Sequence, residues 1–336
     1  MRLDWRASGL ALREPLRISR SVMAERDAVT VILDDDGELG HGEVVTSVHY
    51  ELDVARIDAE LTGARAALAA LTPEEALVTD LPQVSPGVRA ALDAALHDLV
   101  ARRRGIAVHE LLGVAAPGAV PTARTIGITS AERAVAEATG LVGQGFEVLK
   151  VKLGTGADEL ARVAAIRDAA PNARLLLDPN GAWQPDEARR MLRAATEFEV
   201  EAVEQPIASG TPDLLAEVAA DSPVPVIADE DARTPGDVRR LGSRVHGVNI
   251  KLPECGGPRA ALEIIDTARD LDIDVMLGCQ VASSLGIAPA VHLAGAARWV
   301  DLDGHLLLAR DPWTGLGGES GTLRIAGLVG LGVRPA

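Results

Sequence analysis

Lys150, Lys152 and Lys251 are the only lysines in a chain of 336 residues with 33 basic side chains; the other 30 are arginine. Arginine keeps its proton at any working pH, whereas a lysine amine releases one where its surroundings favour the neutral form. A chain that uses arginine wherever a fixed positive charge suffices, yet keeps lysine at three places, points to proton transfer there. A nucleotide bias would scatter the survivors. Instead Lys150 and Lys152 alternate on the apolar run 148–154, and Lys251 closes another such run, 247–251. Residues two apart on a strand face the same way, so Lys150 and Lys152 share a face.

These runs belong to a regular series. From Pro121 onward, short apolar segments end in polar residues and are followed by amphipathic Ala/Arg/Glu-rich stretches. The segments are 122–128, 147–152, 175–178, 202–204, 226–229, 247–251, 274–278 and 298–303. From Lys152, the steps to Asp178, Glu204, Asp229, Lys251, Gly278 and Asp303 are 26, 26, 25, 22, 27 and 25 residues. Eight strand-plus-helix units at this spacing predict an α/β chain folded as a (β/α)8 barrel, modified by a short last helix. A doubly wound sheet needs a Gly-rich turn after its first strand, and Thr129-Ser130-Ala131-Glu132 follows here instead. Residues 1–118 read as an α+β capping domain, with strands near 3–12, 28–33 and 40–46 and helices near 51–71, 86–103 and 106–113. Asp34-Asp35-Asp36-Gly37 signals a hairpin turn. The barrel then occupies 119–312, and the turn-rich segment 313–336 packs back on the cap.

Composition narrows the function classes. Acidic residues outnumber basic ones, 49 to 33, for a net charge of −16, which argues against nucleic acid or an anionic membrane as partner. Hydrophobic content of 47% with 2% aromatics means a core of Ala, Val, Leu and Ile. Two cysteines make no disulfide framework and fit a reducing cytoplasm. The charged N-terminus shows no signal peptide, and no apolar run approaches a membrane span. The exposed flanks of such a barrel are compatible with a homo-oligomer.

Catalytic groups in these barrels come from the C-terminal strand ends. Asp178, Glu204 and Asp229 end the third, fourth and fifth strands. Each alone is explained by a helix cap, but three carboxylates converging in a low-dielectric mouth need a neutralising cation. An all-oxygen set with room for water suits Mg2+. Strands two and six lie opposite each other, so Lys152 and Lys251 are expected to face one another across whatever the metal holds. That arrangement removes a proton from one face of a carbon and returns it on the other. A metal on the adjacent carboxylate stabilises the enediolate formed between. A metal and a neighbouring ammonium are expected to lower the lysine pKa into the range of a base.

The motifs Lys150-Val151-Lys152, Asp178-Pro179-Asn180, Val203-Glu204-Gln205-Pro206, Ala228-Asp229-Glu230 and Asn249-Ile250-Lys251-Leu252 resemble those of the enolase superfamily, muconate-lactonising subgroup. The likeness spans the chain, including Leu111-Leu112-Gly113. Met276-Leu277-Gly278-Cys279 and Asp301-Leu302-Asp303-Gly304 make it most similar to the dipeptide epimerases, such as alanyl-glutamate epimerase. The resemblance implies 1,1-proton transfer at the α-carbon of the C-terminal residue of a dipeptide. It implies Mg2+ on Asp178, Glu204 and Asp229, Lys152 and Lys251 as acid/base catalysts, and Lys150 tuning Lys152 and binding the substrate carboxylate. Asp301 and Asp303 would hold the dipeptide ammonium with two free carboxylates, and Gly278 would line the substrate. Asn180 and Glu230 would stand behind the ligands.

Specificity loops are expected near 16–27 and 46–51, and the resemblance implies that the first, the loop Arg17 to Asp27, closes over the substrate. Alanyl-glutamate epimerases carry an Arg there; Met23 falls near that place, with Arg20 and Arg26 close by, so the second residue of the substrate need not be glutamate and is open to being apolar. Gln280 and Ala282 also depart from the family pattern. N-acylamino acid racemisation, o-succinylbenzoate synthesis and muconate cycloisomerisation use the same lysines and metal, but none needs an ammonium site. A non-catalytic binding barrel is the reading from a different class.

Overall fold

Alternation of apolar residues builds the cap first. The computed structural model describes residues 1–80, 83–156, 158–325 and 329–336. Strands β1 (Arg2–Ile18), β2 (Ser21–Asp35) and β3 (Glu38–Val45) form one antiparallel sheet. Asp36 and Gly37 make the β2–β3 turn with φ of 56° and 87°, the left-handed pair that a tight hairpin needs. Helices α1 (Val54–Ala69), α2 (Pro73–Val78) and α3 (Pro86–Arg104) cover the sheet. A Cβ on Gly42 would lie 2.0 Å from Ala91 O, and one on Gly40 2.2 Å from Ala95 O, so these glycines let β3 lie directly on the α3 backbone. Leu3, Val29, Val31, Leu33 and Val44 meet Leu92, Leu96 and Leu99 in the cap core.

The expected loop over residues 17–27 is instead a hairpin arm. After an irregularity between Ala11 and Leu16, β1 and β2 pair again from Leu16↔Met23 to Ile18↔Ser21, with Ser19 and Arg20 as the turn. The arm docks on the barrel, Ile128 N donating to Arg17 O at 2.9 Å.

After the short α4 (Val108–Leu111) and β4 (Ala119–Pro121), eight parallel strands follow in sequence order: β5 (Ala123–Ile126), β6 (Val148–Lys152), β7 (Arg174–Asp178), β8 (Val200–Glu204), β9 (Val226–Ala228), β10 (Gly247–Lys251), β11 (Asp274–Gly278) and β12 (Trp299–Asp301). Between them run α5 (Ala131–Gly143), α6 (Asp158–Ala169), α7 (Pro185–Ala195), α8 (Pro212–Ala220), α9 (Pro235–Leu241), α10 (Leu252–Cys255), α11 (Pro258–Asp270) and α12 (Ser284–Val291). Among the described residues, the one helical segment after β12 is the 3-10 turn Gly304–Leu307, in keeping with the short last helix expected.

The ends of the ring, β12 and β5, are tied by side chains. Thr122 Oγ1 accepts from Leu302 N at 2.9 Å, and Asp303 Oδ2 accepts from Thr125 N at 2.8 Å and Arg124 Nη1 at 3.0 Å. Of the last three strands, β13 (Trp313–Thr314) pairs with β15 (Arg334–Pro335), and β14 (Thr322–Arg324) pairs with β4. Leu331 N donates to the buried Asp98 of α3 at 2.8 Å. Among the described residues, no helix is long and apolar enough to cross a membrane.

The barrel floor places the site. Ala123, Val148, Leu176, Ala202, Ile227, Met276 and Trp299 pack into one apolar plug. Two residues further on, seven of the eight strands place their next inward position: Thr125, Lys150, Asp178, Glu204, Asp229, Gly278 and Asp301. A strand period of two thus stacks a polar layer directly on a dry floor.

Candidate active site

In the polar layer, Lys150 is buried at 2% exposure, its Nζ 2.7 Å from Asp301 Oδ2, 3.1 Å from Asp178 Oδ2 and 2.5 Å from Glu204 Oε2. Lys152 Nζ donates to Asp178 Oδ2 at 2.5 Å. Lys251 Nζ donates to Asp229 Oδ2 at 2.5 Å and lies 3.9 Å from Glu204 Oε1. Lys150, Lys152, Lys251, Asp301 and Asp303 all border one cavity, so the structure brings these five predicted residues together. Asp178, Glu204 and Asp229 are buried around the same ammonium groups. Each acid is drawn toward a lysine, and among the described residues no three acidic, His or Cys side chains stand as a closed ion cage.

Buried charge governs the protonation of this layer. For Asp178, burial favours the neutral acid, but Lys152 and Lys150 outweigh it and hold the carboxyl well below the usual range. Asp229 goes the other way: burial pushes it up to about 7 despite Lys251. Glu204 and Asp301 are raised as well, by burial first. The lysines were expected below their ordinary value. Burial acts in that direction, but Asp301, Glu204 and Asp178 around Lys150, and Asp229 and Glu254 around Lys251, overcome it and hold both well above. Carboxylates at 2.5–3.1 Å dominate an ammonium more than a neighbouring lysine does.

The second expectation to change concerns Asp301 and Asp303, which are not free carboxylates. Asp301 Oδ2 holds Lys150, and Asp303 Oδ2 holds the Thr125 amide and Arg124. A buried carboxylate cannot stay unpaired. Asp301 Oδ1 nevertheless has no donor among the described residues. Gly278 makes room for a neighbour: a Cβ there would fall 2.5 Å from Asn249 Oδ1. Asn249 Nδ2 in turn donates to Glu204 Oε1 at 2.8 Å. Asn180, with φ of 48°, donates its backbone N to Asp178 Oδ1 at 2.8 Å. Glu230 accepts from Arg20 Nη2 at 2.6 Å, which commits Arg20 to the barrel rim. Met23 is partly buried against the main core.

Reading along the chain missed several groups because their partners are distant in sequence. Gln205 Oε1 accepts from Asp229 N at 2.9 Å. Arg26 Nη1 reaches Gln280 Oε1 and Val281 O, both at 3.3 Å, and burial lowers its pKa to about 10. The single tyrosine, Tyr50, donates to Glu254 Oε2 at 2.6 Å, three residues past Lys251. Glu43 of β3 clamps the loop after β11: Ser283 N donates to it at 2.8 Å and Ser283 Oγ at 2.5 Å.

Burial pushes Glu43 up to about 7 from an ordinary 4.5. The folded chain therefore holds this proton more tightly than the unfolded chain. The associated stability is fully present below about 4.5 and lost as pH rises to about 7. Glu43→Gln keeps an amide acceptor and removes the charge. Between pH 4.5 and 7 the variant is expected to gain roughly 3 kcal/mol on wild type in urea unfolding. A gap independent of pH would remove this account of Glu43.

Comparison with known proteins agrees with this architecture. Residues 5–113 match the mandelate racemase/muconate lactonizing enzyme N-terminal domain, and residues 133–335 match the enolase C-terminal domain-like family. The chain belongs to this family within the enolase superfamily. A hydrophobic dipeptide epimerase of Roseobacter litoralis is 35% identical over 96% of this chain and 95% of its own. An L-Ala-D/L-Glu epimerase of Escherichia coli is 32% identical over 94% and 96%. The crystal structure of a dipeptide epimerase from Methylococcus capsulatus, complexed with Mg and the dipeptide L-Arg-D-Lys, superposes with a TM-score of 0.88 at 34% identity, covering 98% of each chain.

Proposed function

We propose that the chain is a Mg2+-dependent dipeptide epimerase that moves the α-proton of the C-terminal residue between two lysines. The observation that carries this reading is that Lys152 of β6 and Lys251 of β10, four strands apart in the ring, border one cavity. Family membership supports it, as do the dipeptide epimerases among its relatives.

Asp178, Glu204 and Asp229 would hold the ion. All three are buried carboxyl groups, acceptor-only once ionised, and supply oxygen ligands of the kind a hard cation takes. Glu204 Oε2 sits beside Lys150 Nζ outside hydrogen-bond geometry, and it, Asn180 Oδ1 and Glu230 Oε2 lack a donor among the described residues. When bound, Mg2+ supplies positive charge to the substrate carboxylate as that group takes on negative charge. Lys152 Nζ accepts or returns the α-proton on one face and Lys251 Nζ on the other. For either to act as a base, its amine must give up the proton that the carboxylates now hold; a divalent charge on those carboxylates lowers that cost. Lys150 Nζ stays charged against Asp301 and helps bind the carboxylate. Asp301, through Oδ1, and Asp303 receive the ammonium of the N-terminal residue.

The cap, 1–118, supplies the arm over the mouth, the barrel, 119–312, the chemistry, and the segment 313–336 ties the two. Two free cysteines fit a cytoplasmic setting. With Arg20 committed to Glu230 and Met23 partly buried, an apolar C-terminal side chain fits the arm best. Arg26 favours a second reading: it has no carboxylate in contact among the described residues and reaches cavity-lining Gln280, so it is the group that would take a glutamate.

Incubating a dipeptide library with the protein and Mg2+ in D2O tests all of this. Deuterium is expected at the C-terminal α-carbon, and EDTA is expected to abolish it. The members that exchange fastest choose between apolar and acidic second residues. Exchange into N-acylamino acids with none into dipeptides would move the reading to a racemase.

A further inference from the structure

The reaction cavity holds only about 80 Å3. Beside it, between the hairpin arm, the loop after β5 and α5, lies a cleft of about 780 Å3. Leu16, Thr125 and Leu307 border both spaces, so the two adjoin at these residues. The junction is anchored to the proposed ammonium site, because the Thr125 amide and Arg124 both donate to Asp303 Oδ2. In a dipeptide held there, the first side chain springs from the carbon bonded to that ammonium nitrogen. It therefore starts at the Thr125 junction, and the larger cleft is the space it can enter.

We infer that this cleft is the subsite for the N-terminal side chain, and that it selects long apolar or acidic side chains over alanine and rejects lysine and arginine. The inference rests on the dipeptide reading above. Its inner wall is apolar, from Leu16, Ile128 and Leu307. Its outer wall carries an excess of positive charge. Arg124 is paired with Asp303, and Arg133 with Glu14. That leaves Arg13, which meets only the Leu308 carbonyl among the described residues, and the exposed Arg17, while the remaining acid of the wall, Glu137, lies in the field of Arg124 and Arg133. An aliphatic stem is thus buried first and an anionic end meets arginine, whereas a cationic end is repelled.

The test is proton exchange in D2O with four dipeptides that share one C-terminal residue and begin with Ala, Leu, Glu or Lys. Leu and Glu are expected to exceed Ala in kcat/KM by about tenfold, as extra buried methylenes allow, with Lys below Ala. Ala136, exposed on α5 at the cleft wall, provides the control. Ala136→Phe is expected to bring Leu and Glu down to the level of Ala, leaving Ala within about twofold. Arg17→Glu is expected to reverse the order of Glu and Lys. Ala as the fastest substrate, or an Ala136→Phe variant that slows all four equally or none, would overturn the subsite. Exchange with no N-terminal preference removes the subsite alone; no exchange into any dipeptide removes the epimerase reading and the subsite with it.

Discussion

Lys251→Ala and Lys152→Ala are each expected to slow epimerisation roughly 10²–10⁴-fold, the usual contribution of a positioned acid or base. The two losses differ from simple inactivation. With one amine on each face of the α-carbon, each variant keeps the lysine that serves one epimer. That epimer should still exchange its α-proton with D2O far faster than it epimerises, and the two variants should retain opposite epimers. The check is α-proton exchange followed separately for the two epimers of one dipeptide. If both variants lose exchange for both epimers alike, the lysines do not divide the faces and the two-base mechanism fails.

Lys150→Met is expected to act first on stability. Its ammonium is buried at 2% exposure and contacts Asp178, Glu204 and Asp301. Removing one partner of a buried ion cluster strands the rest, at a cost of roughly 3–5 kcal/mol. Urea unfolding in EDTA at neutral pH should show that loss. It should shrink in acid, where Glu204 and Asp301, already raised by burial, take up protons and no longer need the lysine. Mg2+ should restore part of it if these acids bind the ion. A loss below about 1 kcal/mol in EDTA would show that the acids are neutralised another way.

Much of this arrangement is legible in the amino-acid sequence. The 25-residue rhythm from Lys152 to Asp303 marked the strand ends, because a strand must close on a polar rim and a helix must return the chain. The rarity of lysine singled out three residues that the fold gathers around one acid layer. Charge pairing was less legible. Asp301 and Asp303 read as free carboxylates because Lys150, Arg124 and Thr125 are more than 150 positions away. The arm ending at Ser19-Arg20 read as a loop because its turn carries no Gly or Asn signal. Glu43 gave no sign of a role, since the Ser283 it clamps lies 240 residues on.

The tie between β5 and β12 has a consequence for protein engineering. The carboxylate proposed to recognise an incoming amino terminus is also the one that fastens the last strand to the first. Replacing Asp303 to admit a substrate without an ammonium therefore removes a fastener of the barrel together with a contact, and it leaves the Arg124 guanidinium without its counter-ion. New specificities at this corner are more accessible through paired changes at 124 and 303 than through either position alone, and in laboratory evolution the pair should move together.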